Sequence, residues 1–421
     1  MNTAQTKFNL GVDSEVGELE GVILHTPGLE IENMTPMNVE RALYSDILNL
    51  SVASLEYQQL QGVLSKVTNV FQVKSLLERT LHNSKVKQSL VEKICENECA
   101  HEIKNQLLEL SEKELARCLL EGVLLKQNNL SRFLSRERYS LRPLHNFFFT
   151  RDSAITINDW VLISSMANKV RTREAMIMEA IFDFHPMFTT RTVCAEYNEK
   201  FPKAKIEGGD VLVARKDILL IGIGSRTKPQ AVDFLIEHFC KTGASQHIIV
   251  QELPHQPESF IHLDMVFTFI DKDICMIYEP VILQPNMFRT VHIAIDNGQV
   301  LHIEEEQNLL TALAKLGMEM NPINCGGNSD NWLQEREQWH SGANFFAIAP
   351  GKIIGYRRNI NTIEELDRKG FTIIDAADVV EDKIDLGTYG KCVITIDGSE
   401  LARGGGGCRC MTMPIRRKAI E

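Results

Sequence analysis

Four consecutive glycines, Gly404 to Gly407, open into Cys408-Arg409-Cys410-Met411-Thr412-Met413-Pro414. Glycine loses more conformational freedom on folding than any other residue, so such a run belongs where the backbone takes unusual dihedrals or approaches a ligand closely. A cysteine just beyond it is a candidate nucleophile, and a flexible tail with two spare thiols is the plain alternative. Three acidic constellations lie far upstream: Thr150-Arg151-Asp152, Glu207-Gly208-Gly209-Asp210 and His262-Leu263-Asp264. Singly, each has an ordinary reading. Asp152 could cap a turn, the glycine pair could make a bend, and His262 could be a satisfied core histidine.

Together they make one chemistry. A thiolate attacks while an imidazole handles protons for the leaving group and then for water. Carboxylates crowded around a thiol raise its pKa and repel anions, so the arrangement suits a cationic substrate that neutralises them. A guanidinium fits: it is planar, it offers a fork of N–H donors to carboxylates, and its central carbon is the electrophile. The order of Cys and His is the reverse of that in papain-type proteases. His302-Ile303-Glu304 mimics half of a zinc deaminase signature, but no Pro-Cys-x-x-Cys follows. The chemistry is therefore expected to need no metal and no cofactor.

These residues must be brought together by the fold. Five β-rich pairs align: Gly17 to Gly28, Asp152 to Met166, Asp210 to Gly224, Asp264 to Tyr278 and Asn344 to Arg357, four of them opening on Asp or Asn. Each interval leaves room for a helix, which predicts a five-bladed α/β propeller whose strand starts converge on one central pocket. Unconnected βα units are the alternative. From about Phe71 to Arg142 the pattern turns helical, with Val86, Leu90, Val91 and Ile94 at helical spacing and Ser111 with Glu114 as a capping box. The expectation is an α/β domain over 1–70 and 143–421, with an all-helical bundle of four or five short helices inserted at 71–142.

Composition narrows the class. The chain has 421 residues, 44% hydrophobic and 24% charged, which suits a globular protein. Its net charge of -11, with basic residues scattered, argues against nucleic acid. No signal peptide or membrane span is read, so a cytoplasmic protein with reduced thiols is expected. Cys95, Cys99, Cys118 and His101 lack the paired spacing of a zinc site.

With these residues assembled, the chain resembles the arginine deiminase family of the pentein, or guanidine-modifying, superfamily. The resemblance rests on Val22-Ile23-Leu24-His25-Thr26-Pro27-Gly28, Asn146-Phe147-Phe148-Phe149-Thr150-Arg151-Asp152 and Glu207-Gly208-Gly209-Asp210. It continues through His262-Leu263-Asp264-Met265-Val266-Phe267, Glu335-Arg336-Glu337-Gln338-Trp339 and Cys410-Met411-Thr412-Met413-Pro414. It implies hydrolysis of L-arginine to L-citrulline and ammonia, as the first step of arginine catabolism. Cys410 would be the nucleophile, His262 the acid and base, Glu207 the partner of His262, and Asp152 and Asp264 the guanidinium clamp. Arg171, Arg226 and Asn146 would hold the substrate carboxylate, with Phe149 near the side chain and Asp210 also at the substrate. A homo-oligomer is expected.

Some positions depart from the family pattern. Gly405 stands where a loop arginine is common, no histidine is found near Glu56-Tyr57-Gln58, and Cys408 puts a second thiol two residues from the nucleophile. A Cys408–Cys410 pairing would make activity redox-sensitive. The competing functions are an amidinotransferase, a methylated-arginine hydrolase, and a silent arginine-binding protein.

Overall fold

The computed structural model describes residues 7–36, 38–196 and 198–420. It is a mixed α/β fold whose described strands form five sheets of three or more strands and one two-stranded ribbon.

Four of the sheets share one build: an antiparallel hairpin, a helical crossover and a third strand parallel to the second. The first pairs Ala154–Ile157 with Trp160–Ile163, crosses over through the helix Thr172–Phe184, and adds Arg191–Cys194. The second pairs Val211–Arg215 with Ile218–Ile223, crosses through Pro229–Thr242, and adds Gln246–Glu252. An outer hairpin, Thr290–Asp296 with Gln299–Glu306, extends it to five strands. The third uses Phe267–Phe269, Ile274–Ile277 and Asn321–Asn324. The fourth uses Phe346–Ala349, Lys352–Tyr356 and Cys392–Ile396, with Thr372–Asp375 outside. Their turns carry the polar residues expected, Asn158 at φ 51° and Gly351 at φ 70° among them.

The pair expected at Gly17 to Gly28 is not a hairpin. One strand, Leu19–Leu24, lies between the parallel Asn69–Gln72 and the antiparallel Met413–Arg417. Val22, Ile23 and Leu24 are fully buried, which marks a central strand covered on both faces and leaves no polar turn before Pro27. The C-terminal strand supplies the missing hairpin partner, so the two ends of the chain close one sheet.

The helical block is real but shorter than the pattern suggests. Helices Val73–Thr80, Ser84–Asn97, Lys104–Glu109 and Glu112–Glu121 follow one another, with Asn83 capping the second and a reciprocal Ser111–Glu114 capping box on the last. Gly122, at φ 85°, ends the last of them. Beyond it Val123–Leu124 pairs with Tyr139–Leu141, and the single turn Leu130–Phe133 is the only α-helix described there. Leu77, Leu90, Val91 and Ile94 are buried in one cluster with Ile177 and Ile181 of the first crossover helix. Each such side chain contributes about 1.5–3 kcal/mol by leaving water, so this shared core fixes the block to the sheet that carries Asp152.

Candidate active site

In each sheet the residues just before one strand face the same point. Asp152 precedes Ala154–Ile157, Glu207 to Asp210 precede Val211–Arg215, and His262 to Asp264 precede Phe267–Phe269. Asn344 precedes Phe346–Ala349, and Cys410 precedes Met413–Arg417. Hydrogen bonds link these five segments in a closed ring. Gly208 N donates to Asp152 O at 3.1 Å, Leu263 N to Asp210 Oδ1 at 2.9 Å, and Asn344 Nδ2 to Asp264 O at 3.0 Å. Arg409 N then donates to Asn344 Oδ1 at 2.9 Å, and Arg151 N returns to Cys410 O at 3.0 Å.

Inside the ring, Cys410 Sγ lies 3.7 Å from Asp264 Oδ2 and 3.2 Å from Asn344 Nδ2. His262 Nε2 is 2.9 Å from Glu207 Oε2, and its Nδ1 is 3.6 Å from Asp152 Oδ1. Asp152 Oδ1 and His262 Nδ1 are both buried without a hydrogen-bond partner. An N–H donor brought to Asp152 would satisfy its Oδ1, whereas Nδ1 of a protonated His262 is itself a donor and calls for an acceptor. Cys410, His262, Glu207, Asp152 and Asp264 are all at most 3% exposed, so this conformation is closed to solvent.

Charge sets the resting state. Burial, then Asp264 and Asp152, push the Cys410 thiol well above its ordinary range, so it rests protonated. Burial opposes charge on His262, but Asp152, Glu207 and Asp210 outweigh it and bring the imidazole up to about 9. Burial would likewise raise Glu207, yet Arg226 and His262 hold it below the usual carboxylate range. Asp210 goes the other way: burial pushes it up to about 7, and its Oδ2 has no partner.

Asp152 and Asp264 are each already held on one oxygen by a buried arginine. Arg171 Nη1 lies 2.6 Å from Asp152 Oδ2, and Arg409 Nη1 lies 2.8 Å from Asp264 Oδ2. Arg409 also grips Glu15 at 2.9 Å. Arg171 is committed further, to Glu174 at 2.7 Å and to the carbonyl oxygens of Asn146 and Phe149 at 3.3 Å each. Arg226 is looser, with one 3.4 Å contact to Glu207 Oε2. Asn146 Nδ2 donates to Ala42 O at 2.7 Å. A cleft of about 530 Å³ under the helical block reaches Asn146 but contains neither Cys410 nor His262.

The glycines give room. A Cβ on Gly209 would stand 2.5 Å from His262 Nδ1, and one on Gly406 would stand 2.5 Å from the Phe149 ring. The imidazole and the ring can approach only bare backbone. Cys408 is buried in apolar surroundings that push its thiol up, away from the thiolate that reacts with peroxide.

Sequence reasoning did not single out Asn344, Arg409, Glu15 or Glu174 as functional. A signal existed only for Asn344, which opens its hairpin as Asp152, Asp210 and Asp264 open theirs.

Known proteins resemble this chain over most of its length. A family model described as arginine deiminase matches residues 40–417. An arginine deiminase of Bacillus cereus (strain B4264) is 33% identical over 98% of this chain and 100% of its own length. One from Bacillus cytotoxicus is 32% identical over the same shares. Among solved structures, SxtG, an amidinotransferase from Microseira wollei, superposes with a TM-score of 0.54 at 12% identity, covering 98% of each chain. The N-terminal domain of ArgZ, an arginine dihydrolase from cyanobacteria, superposes with a TM-score of 0.51 at 12% identity, covering 94% of this chain and 97% of its own. At such identity these two bear on the fold alone.

Proposed function

This chain belongs to the arginine deiminase family, and on that premise we propose how its own residues turn L-arginine and water into L-citrulline and ammonia. The observation that carries the assignment is the buried free thiol of Cys410, 3.7 Å from the Asp264 carboxylate and in the same ring of segments as Asp152, His262 and Glu207. A guanidinium laid between Asp152 and Asp264 gives both carboxylates N–H donors and holds its carbon over Sγ.

The substrate's charge activates the nucleophile. Until it arrives, two carboxylates keep Cys410 a thiol; a cation between them lowers that cost and the thiol proton leaves to solvent. The thiolate forms a C–S bond to the guanidinium carbon. His262, protonated, gives its proton to one terminal nitrogen, and ammonia departs with the C–N electron pair, leaving a thiouronium on Cys410. Water then attacks that carbon while neutral His262 takes its proton. The C–S electron pair returns to sulfur, the remaining hydroxyl proton passes to that sulfur and restores the thiol, and the new C=O is that of citrulline. Glu207 keeps His262 oriented and basic enough to be protonated at neutral pH.

We assign the substrate carboxylate to Arg226, Arg171 and Asn146. Arg226 has donors to spare, whereas Arg171 reaches a carboxylate only by releasing Glu174, whose own pKa burial raises to about 7. Phe149 covers the aliphatic stem, and Asp210, with Oδ2 free, braces the His262 segment under the guanidinium. The five sheets, each delivering one segment to the ring, are read as blades of an α/β propeller. In this reading 1–70 and 143–421 form the catalytic domain and 71–142 a helical insertion. No helix among the described residues is long and apolar enough to cross a membrane. Ten free cysteines support a reducing, cytoplasmic setting, and the exposed Leu130, Phe133 and Leu134 support a homo-oligomer.

The test is citrulline and ammonia release from L-arginine, with agmatine and methylated arginine in parallel and EDTA present. Release from arginine alone, abolished by Cys410→Ser, is expected. Turnover of the other substrates at equal kcat/KM would remove the assignment of Arg171 and Arg226.

A further inference from the structure

His302-Ile303-Glu304, half of a zinc signature with no role at Cys410, lies on Gln299–Glu306, the outermost strand of the five-stranded sheet. Four strand spacings, about 19 Å, separate that strand from Val211–Arg215, which leads out of the Glu207 segment. Side chains two apart on a strand share a face, so His302 and Glu304 point the same way. The strand register sets His292 opposite Glu304 and Ala294 opposite His302, with His247 opposite Ala294 one strand further in. Ala294 leaves space between the flanking imidazoles.

The donor atoms are already spaced as ligands. His302 Nε2 is 3.5 Å from His292 Nδ1 and 3.4 Å from Glu304 Oε1, and all three atoms lie within 4.8 Å of one another. Nitrogen and oxygen ligands about 2.0–2.1 Å from a tetrahedral zinc ion stand about 3.3–3.4 Å apart, so two of the three edges need almost no movement. Behind them His292 Nε2 is 3.0 Å from His247 Nδ1. A proton on Nε2 donated to His247 leaves the lone pair of His292 on Nδ1, facing the gap, as the outer partner of a metal-bound histidine commonly does. Glu306, paired with Lys315 at 2.7 Å, adds its carboxylate 4.0 Å from His292 Nδ1. His292 is buried while His302 and Glu304 are exposed, so the gap is anchored on one side and open to solvent on the other.

The geometry points to a binding site for a divalent first-row transition metal, zinc foremost, ligated by His292 Nδ1, His302 Nε2 and Glu304 Oε1 with a fourth position open to water. Mixed imidazole and carboxylate donors favour zinc, cobalt or nickel over magnesium or calcium. The ion takes no part in the reaction at Cys410. It clips the outer strand to its neighbour.

The test titrates ZnCl2 into the EDTA-stripped full chain by calorimetry, then replaces zinc by Co2+ and reads the visible bands of tetrahedral cobalt. The wild type is expected to take up one equivalent that His302→Ala loses and that Glu304→Gln binds roughly tenfold or more weakly. Both variants change exposed residues, and unchanged citrulline formation shows that they stay folded. Equal stoichiometry and affinity in all three proteins would overturn the site, since thiols such as exposed Cys99 would then hold the metal. Absence of binding by the wild type would overturn it as well.

Discussion

Asn344 meets Cys410 at two points: its Oδ1 accepts the Cys410 backbone N–H at 3.3 Å, and its Nδ2 lies 3.2 Å from Sγ. One amide thus fixes the backbone of the nucleophile and offers its sulfur a donor in surroundings otherwise rich in carboxylates. The donor gains strength when the sulfur becomes a thiolate, because a hydrogen bond to a charged group contributes about 1.5–3 kcal/mol. Asn344→Ala is expected to lower kcat by roughly 10- to 100-fold. Asn344→Asp, which adds an anion beside Sγ, should do worse and move iodoacetamide alkylation of Cys410 to higher pH. Equal activity in Asn344→Ala would assign the residue to backbone support alone.

In the proposed mechanism His262 sets the alkaline side of the pH profile. Its folded pKa of about 9 lies above its ordinary value of 6.5, so the imidazolium needed to expel ammonia is present at neutral pH and lost as pH rises through about 9. Stability follows the same sign: the contribution is complete below the unfolded value and disappears as pH rises through the folded one. Glu207, held low, contributes in the opposite window, with stability present above its ordinary value of 4.5 and lost as pH falls. Glu207→Gln is expected to draw the alkaline limb of kcat down by about one pH unit, equivalent to roughly 1.4 kcal/mol. An unmoved limb would show that another group controls it.

Much of this site could be read from residue order alone, because Asp152, Glu207, His262 and Asp264 each stand just before an apolar strand, and five such strands predict a common centre. Asn344 stood in the same position, but an amide neither titrates nor attacks, and a lone Asn before a strand also reads as a turn. Arg409 and Glu15 are 394 positions apart, and only closure of the first sheet by the last strand brings them together. That closure also hid in Gly17 to Gly28, where a buried central strand passed for a hairpin. The helical pattern runs on past Gly122 in the sequence because Leu125 to Arg142 contains no glycine or proline to interrupt it. Arg171 shows another limit: periodicity cannot say that a guanidinium is already spent on Asp152 and Glu174.

Arg409 is a stability residue before it is anything else. It is 1% exposed and joins Asp264 to Glu15, which its charge holds down to about 2 against burial. Removing one partner of a buried ionic group leaves the others uncompensated, at a cost of about 3–5 kcal/mol. Arg409→Met should lose about that much in urea denaturation, and adding Glu15→Gln should restore part of it. If the two changes simply add, the three groups are not coupled.

Gly209 tests the packing under the imidazole. A Cβ there would be 2.5 Å from His262 Nδ1 and 3.0 Å from Asp152 Oδ1, inside van der Waals contact with both. Gly209→Ala is expected to displace His262 and cut kcat by roughly 100-fold, as misplacement of about an ångström does. Melting temperature should fall only a few degrees, since the strand that follows is untouched. Near-normal kcat would mean that the ring has room to slide.

In the proposed mechanism substrate enters past the segment from Asp397 to Gly407, whose Gly404 and Gly406 pack against Phe149 and lead into the buried Cys410. Glu56, itself 3% exposed on the helix Leu50–Val67, straps that segment down. Its carboxylate accepts the backbone N–H groups of Ser399 at 2.7 Å, Glu400 at 3.1 Å and Leu401 at 2.9 Å, and the Ser399 hydroxyl as well. No backbone bond of the helix depends on this carboxylate, so its removal loosens the segment, which Gln59 and Tyr356 still hold at Asp397 and Gly406, and spares the helix. Glu56→Ala should therefore favour the open form. On the proposal that the closed form is the one that holds Asp152 and Asp264 ready for the guanidinium, KM is expected to rise roughly tenfold while kcat changes much less. Limited proteolysis should cut between Asp397 and Gly407 in the variant, and saturating arginine should protect it. Unchanged KM with unchanged proteolysis would mean that the site opens by another route.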